Sequence, residues 1–227
     1  MMKENLWSRF LNLFFPRRCA CCGQLLAGGA LCEGCLLLLK TLESPLLPYT
    51  APLDGLSAAF AYSGAGAALM REFKFHHQTH CYHLLLQESF EKQVRETYEK
   101  YNIDMIIPIP MYRDAKRERG FNQAEHIASN LAKSMGVPCR ADIMQKVCAN
   151  RVQHHLSKSE RVNNVRGVYQ VALPQTVRGK TVLLVDDITT TGATLLECAA
   201  VLKAAGAVQV YGAAVLYTPP VQSSKKV

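Results

Sequence analysis

The sequence predicts an α/β fold, a central and mostly parallel sheet with a small cysteine-rich module ahead of it, and three observations carry that expectation. Val182–Val185 is a run of four aliphatic residues, the pattern of a strand buried on both faces of a parallel sheet. Ile103–Pro110 is a second apolar run, followed by a helical stretch, so that strands and helices alternate as in α/β domains. Two C-x-x-C turns, Cys19–Cys22 and Cys32–Cys35, stand near the amino end.

Composition sets the bounds. The 227 residues exceed the usual single-domain mode of about 100 to 150 residues, which suits a main domain with an appendage. A net charge of +8 favours polyanionic partners such as nucleotides, phosphates or nucleic acid. Leu6, Trp7, Phe10, Leu11, Phe14 and Phe15 recur at helical spacing, but Glu4 and Arg9 interrupt the run and no small-residue cleavage site follows, so it does not read as a signal peptide. It also falls short of the roughly 20 apolar residues that span a bilayer. The expectation is a reduced, cytoplasmic protein with no membrane span, whose first helix packs on its own chain; an anchor at a membrane surface is the alternative.

Nine cysteines are an odd number, and five of them fall within Cys19–Cys35. Each C-x-x-C turn presents two thiolates on one side of a tight loop, and two turns together make a tetrahedral four-sulfur site, the geometry of structural zinc. Cys19, Cys22, Cys32 and Cys35 are the expected ligands, with Cys21 surplus; a redox pair is the rival. Ser44–Pro52 holds three prolines and reads as a linker. The expected division is a helix and four-cysteine zinc-binding module over 1–50, a main domain over 51–220 and a polar tail over 221–227.

Within the main domain, Leu56–Tyr62 reads as a strand, and a helix carrying Met70 and Phe73 follows, with Lys74 near its end. Leu84–Tyr101 reads as a charged amphipathic helix with a solvated face. Met111–Gly120 reads as a loop whose Arg113, Lys116, Arg117 and Arg119 suit a pyrophosphate group, ahead of a helix over Phe121–Met135. Val137–Met144 is expected as the next strand, and Gln145–Arg166 as a long polar loop. Val168–Ala172 and Leu183–Val185 are expected to continue the sheet. The helix Thr194–Ala205 and the strand Val208–Leu216 complete the domain.

The chemistry concentrates after Val185. Asp186 and Asp187 stand at the carboxyl end of a buried strand, where ligands bind in open α/β sheets. The hydroxyl-rich turn that follows, Thr189-Thr190-Thr191-Gly192-Ala193-Thr194, aims backbone N–H groups and a helix amino terminus at one spot, which suits a phosphate ester. Two carboxylates beside a phosphate site make sense if the ligand also carries sugar hydroxyls, or a Mg2+ bridging hydroxyls and pyrophosphate oxygens.

Aliphatic strand, acidic pair and Thr-Thr-Gly-x-Thr resemble the 5-phosphoribosyl-1-pyrophosphate (PRPP) signature of type I phosphoribosyltransferases, with Thr189 where an aliphatic residue is usual. The resemblance implies a type I phosphoribosyltransferase-like fold in which Asp186 and Asp187 hold the ribose hydroxyls and serve the reaction. It also implies that Ile188, Thr189, Thr190, Thr191, Gly192, Ala193 and Thr194 form the PRPP-binding segment.

Arg119-Gly120-Phe121-Asn122-Gln123-Ala124 after a Pro-x-Pro strand end, and Arg151-x-Gln153-x-x-Leu156-Ser157-x-x-x-Arg161-x-x-Asn164, together with the cysteine turns, are similar to the ComF family of competence-associated, phosphoribosyltransferase-like proteins. That resemblance spans about Pro16 to Leu216. It implies a mobile hood at 145–166, pyrophosphate or hood contacts from Arg117, Arg119, Arg151 and Arg161, structural Zn2+, and Mg2+ with PRPP. Three functions stay open at this point: a PRPP-binding protein of natural competence, with single-stranded DNA or a competence helicase as partners; a phosphoribosyltransferase of nucleotide metabolism; and a non-enzymatic nucleic-acid-binding module. Acceptor and oligomeric state are not legible.

Overall fold

The structure is a computed structural model, and it describes residues 18–27, 31–41, 47–62, 66–68, 70–71, 90–148 and 167–218. Four strands form the central sheet: β1 (Gly55–Ala61), β2 (Met105–Pro108), β5 (Thr181–Thr189) and β6 (Gln209–Tyr217). Their order is β1-β6-β5-β2 and every pairing is parallel, as the buried aliphatic runs require. Ile106, Ile107, Leu183, Leu184, Val185 and Val210 have no exposed surface at all.

Strand alternation divides the core into two layers. Ile106, Leu183 and Val185 pack with Ile127, Ala128, Leu131 and Ala132 of the helix Gln123–Met135. Met105, Ile107, Val182 and Leu184 pack with Leu195, Cys198, Ala199 and Leu202 of the helix Ala193–Ala204. Cys19, Leu31 and Cys35 join the first layer beside Phe60 and Phe90, so the cysteine module shares a core with the sheet. Leu47, inside the expected linker, is buried in the second layer and donates its N–H to the Leu56 carbonyl at 3.0 Å.

In chain order the helices that lie wholly among the described residues are α1 (Glu33–Thr41), α2 (Glu91–Tyr98, extended by a 3-10 turn over Glu99–Tyr101), α3 (Arg113–Arg119), α4 (Gln123–Met135), α5 (Pro174–Val177) and α6 (Ala193–Ala204). Both outer strands are pinned at their amino ends by an aspartate. Asp104 accepts from Thr181 N–H at 2.8 Å and from Lys180 Nζ at 2.9 Å, joining β2 to β5. Asp54 accepts from Val210 N–H and from Lys203 Nζ, each at 2.7 Å, joining β1 to β6. The Thr181 N–H and the Lys180 ammonium hold the Asp104 carboxyl below its usual value.

Three expectations are corrected. Met111–Gly120 is not a loop: Arg113–Arg119 is a helix that Gly120 ends at φ 83°, donating its N–H to the Lys116 carbonyl. Its residues are good helix formers, but none supplies the apolar stripe by which a helix is read. Val137–Met144 is not one strand. Pro138 limits the pairing to a single parallel bridge, Ile106 to Cys139, on the free edge of β2, and Met144–Lys146 instead forms a separate strand, β3. Nor does Val168–Ala172 continue the central sheet. Its strand β4 (Tyr169–Val171) pairs antiparallel with β3, outside that sheet.

Candidate functional site

The direction of the chain reverses at β2. Its onward path leads through α4 to Cys139 on one side, whereas β5 lies on the other. In α/β sheets such a switch point leaves a crevice beyond the carboxyl ends of the strands. Here the crevice is marked by unequal strand lengths. The pairing of β2 with β5 stops at Pro108 opposite Val185, followed by Ile109 N–H donating to the Val185 carbonyl at 2.9 Å. β5 runs on through Asp186, Ile188 and Thr189, still paired with Ala214, Leu216 and Tyr217 of β6. The strand is therefore longer than the sequence suggested, and Ile188 and Thr189 belong to it rather than to the turn.

Asp186 and Asp187 are both half-buried there, and the Asp186 carboxylate accepts from Asp187 N–H at 2.8 Å. Thr190 is exposed, Thr191 and Thr194 are half-buried, and Gly192 is buried. Gly192 precedes α6 at φ 75° and ψ 0°, a left-handed conformation that favours glycine. Ala193 N–H donates to the Thr191 hydroxyl at 3.3 Å. Gly192 has no side chain to cap α6, and the Thr191 hydroxyl takes the first N–H of the helix instead.

On the β2 side of the crevice, Asn122 is buried and ties two elements together. Its amide donates to the Ile109 carbonyl at 3.1 Å and its side-chain oxygen accepts from Ala124 N–H at 3.1 Å, which caps α4 against the end of β2. α3 follows β2 after four connecting residues, 109–112. Arg113 and Arg117 are exposed, while Lys116 is engaged by Glu125, with 2.8 Å to each carboxylate oxygen. Arg119 closes α3 and its side chain lies outside the described residues, as do Lys74, Arg151, Arg161 and the whole stretch 149–166.

Sequence reading missed one flank of the site. β3 places Lys146 opposite Tyr169 of β4, with the ammonium 5.7 Å from the centre of the phenol ring. Tyr169 is buried in the α6 layer, and burial pushes its phenol up, with Asp186 among its charged neighbours and Thr194 as a hydrogen-bond partner. Burial lowers the Lys146 ammonium, an effect opposed by Cys148, Cys198 and Asp186. No sequence signal joins Lys146 to Tyr169, because the contact is made only when β3 and β4 pair.

The four expected metal ligands do come together. The Sγ atoms of Cys19, Cys22, Cys32 and Cys35 lie within 4.8 Å of one another, with Cys22 and Cys32 at 3.7 Å. Zinc–sulfur bonds of about 2.3 Å in a tetrahedron put sulfurs about 3.8 Å apart, so the cluster fits a metal ion such as zinc. Burial raises the Cys19 thiol, but the N–H groups of Cys22, Cys32 and Cys21 outweigh it and leave the value lowered to about 6. Burial and the neighbouring thiols push Cys35 well up. Thiols this close cannot all ionise without a cation between them. All eight cysteines among the described residues are free thiols, and no helix of those residues is long and apolar enough to cross a membrane.

Comparison with known proteins agrees with this architecture. Residues 85–226 match the phosphoribosyl transferase domain family. Competence protein F of Haemophilus influenzae is 28% identical over 224 residues, covering 88% of this chain and 98% of that protein. Competence protein ComFC of Bacillus subtilis is 26% identical over 180 residues, covering 78% and 68%. The DNA utilization protein YhgH of Salmonella typhi is 35% identical over 107 residues, 47% of this chain. The chain matches just under half of that protein's length, 46%. Among solved structures, APRTase from Giardia lamblia complexed with 9-deazaadenine has a TM-score of 0.45 and 16% identity, covering 80% of this chain and 84% of that one.

Proposed function

Because the chain belongs to the phosphoribosyl transferase domain family and groups with the ComF proteins, we propose that it binds PRPP beyond the end of β2 and acts in natural competence. The observation that carries the reading is the unequal length of β2 and β5, which leaves two carboxylates and a hydroxyl-rich turn on one open rim. In this reading Asp186 and Asp187 accept hydrogen bonds from ribose hydroxyls. The N–H groups and hydroxyls from Thr190 to Thr194 receive the 5'-phosphate, helped by the amino end of α6. Arg117, Arg119, Arg151 and Arg161 serve the pyrophosphate. Bound Mg2+ would offset charge on the pyrophosphate oxygens as they leave.

Transfer of the ribosyl group develops positive charge on the sugar, and Asp186 and Asp187 are the groups placed to stabilise it. The protein's own part is to position the ribose and the leaving group, for which no nucleophile is needed. We assign Zn2+ to Cys19, Cys22, Cys32 and Cys35 as a structural ion, and the cytoplasm as the compartment that keeps these thiols reduced. A single-stranded DNA or helicase partner would explain a role in DNA uptake, and the names of the relatives, competence protein and DNA utilization protein, support it. Hydrogen exchange tests the ligand assignment. PRPP with Mg2+ should protect the turn after β5, α3 and the segment 149–166, whereas ribose 5-phosphate should protect the turn alone. Equal protection by the two ligands would contradict the pyrophosphate role of the basic segments.

A further inference from the structure

Apolar surface is left over on the cysteine module. Six large apolar side chains are exposed among the described residues, and three of them, Leu25, Leu37 and Leu38, belong to the short stretch 18–41. Their neighbours do the opposite: Leu26, Cys35 and Leu36 all pack in or against the first core layer. A lone exposed leucine is ordinary. Two adjacent ones on α1, at 64% and 61% exposure, with a third at 57% on the same module, give that module an apolar outer surface. The four-sulfur cluster ties these parts together. Cys19 adjoins the antiparallel bridge from Arg18 to Leu25, Cys32 N–H donates to its Sγ at 3.4 Å, and Cys35 precedes Leu37 within α1.

The chain itself carries a segment suited to cover that surface. Leu6, Phe10 and Phe14 form one i, i+4, i+8 row, and Trp7, Leu11 and Phe15 form the next, which on a helix make a single apolar stripe. Residues 1–17 lie outside the described residues, and they join them at Arg18, which is bridged to Leu25. A 17-residue helix is about 25 Å long and a helix the length of α1 about 13 Å, so the stripe has ample length for the surface beside it. Tethering at Arg18 raises the local concentration of the segment and favours its own chain over a second copy. The polar side of the segment speaks against a lipid surface. Over 1–15 its cations are Lys3 and Arg9 alone, set against Glu4, whereas helices that lie on membranes are rich in Lys and Arg. We propose that residues 1–17 dock through this stripe on Leu25, Leu37 and Leu38 of the same chain. The docked segment gives the cysteine module an apolar contact of its own, separate from the layer it shares with the sheet. This inference does not depend on the PRPP reading.

Trp7 is the single tryptophan of the chain, so its fluorescence reads the docking directly. In the full-length wild type its emission should lie at shorter wavelength than in the urea-unfolded chain, with reduced quenching by acrylamide, at every protein concentration and without vesicles. Leu37→Asp combined with Leu38→Asp should move both readings to the unfolded-chain values. Hydrogen-exchange protection of β5 and β6 verifies that the sheet of this variant is folded, and Leu37→Gln with Leu38→Gln takes its place if it is not. Val208→Asp, a charge placed on an exposed apolar residue outside the module, should leave Trp7 as in the wild type. A wild-type Trp7 that already reads as unfolded, or a folded double variant that keeps the wild-type emission, overturns the proposal. So does a short-wavelength emission that develops only with rising protein concentration, which assigns the surface to a second copy. One that develops only with added phosphatidylglycerol vesicles assigns the segment to a membrane and overturns it equally.

Discussion

Gly192 shows how much of the site depends on single residues. It turns the chain from β5 into α6 at φ 75°, and a side chain there would meet only Leu56 Cδ2 at 3.7 Å, ordinary contact. The cost of Gly192→Ala is therefore conformational rather than steric, about 1 to 2 kcal/mol for a left-handed residue with a Cβ. Denaturant unfolding should report that loss, and phosphate-ester binding should weaken with it because the N–H groups after the glycine are re-aimed. Asn122 does a comparable service on the other side of the crevice, holding the end of β2 and the start of α4 with one side chain. The sequence displayed Asn122 within a family-like string, yet its double role needs Ile109 and Ala124 to be brought together, which no local pattern announces.

At the scale of elements, the strands were legible because burial on both faces writes uninterrupted aliphatic runs, and the helices α4 and α6 because their apolar residues repeat. α3 was not legible: a short, wholly polar helix leaves no periodic mark. β3 and β4 were misplaced for a related reason. Three-residue strands carry too little pattern to say which sheet they join. Asp104, which pins β2 to β5, gives this level a pH prediction. Its carboxyl is held below the usual 3.8 in the fold, so its contribution is full above that value and is lost as pH falls through the lower, folded value. The stability difference between wild type and Asp104→Asn should be constant near neutrality and shrink below pH 3.8. A difference that stays constant into strong acid would contradict the assignment.

The cysteine module gives a second prediction at this level. Four thiols within 4.8 Å should hold about one Zn2+ per chain, and Cys32→Ser should release it. Since Cys19 and Cys35 pack in the same layer as the sheet, metal loss should lower the thermal midpoint of the whole chain and not only unravel its amino end. Metal analysis of protein purified without added zinc, paired with a melting curve, checks both. A metal-free protein of equal stability would contradict the zinc assignment.

Across the whole molecule, one arrangement brings separate parts of the chain to a single rim. The order β1-β6-β5-β2 sets β5 beside a strand that ends earlier, α3 and α4 follow from that strand's end, and β4, paired with β3, packs on α6. The acidic pair and the turn were legible because they are contiguous in sequence; the β3–β4 pair was not, because it is assembled from residues far apart. The central claim is that PRPP occupies the rim at Asp186–Thr194, and the double variant Asp186→Ala with Asp187→Ala tests it most directly. Each charge-assisted hydrogen bond is worth about 1.5 to 3 kcal/mol, so losing two or more should weaken PRPP–Mg2+ binding by at least about a hundredfold. Circular dichroism should be unchanged, since both residues are half-buried on the part of β5 that runs past β2, and neither belongs to the apolar core. Calorimetric titration of the folded double variant should show that loss; wild-type affinity in a folded double variant would contradict the account.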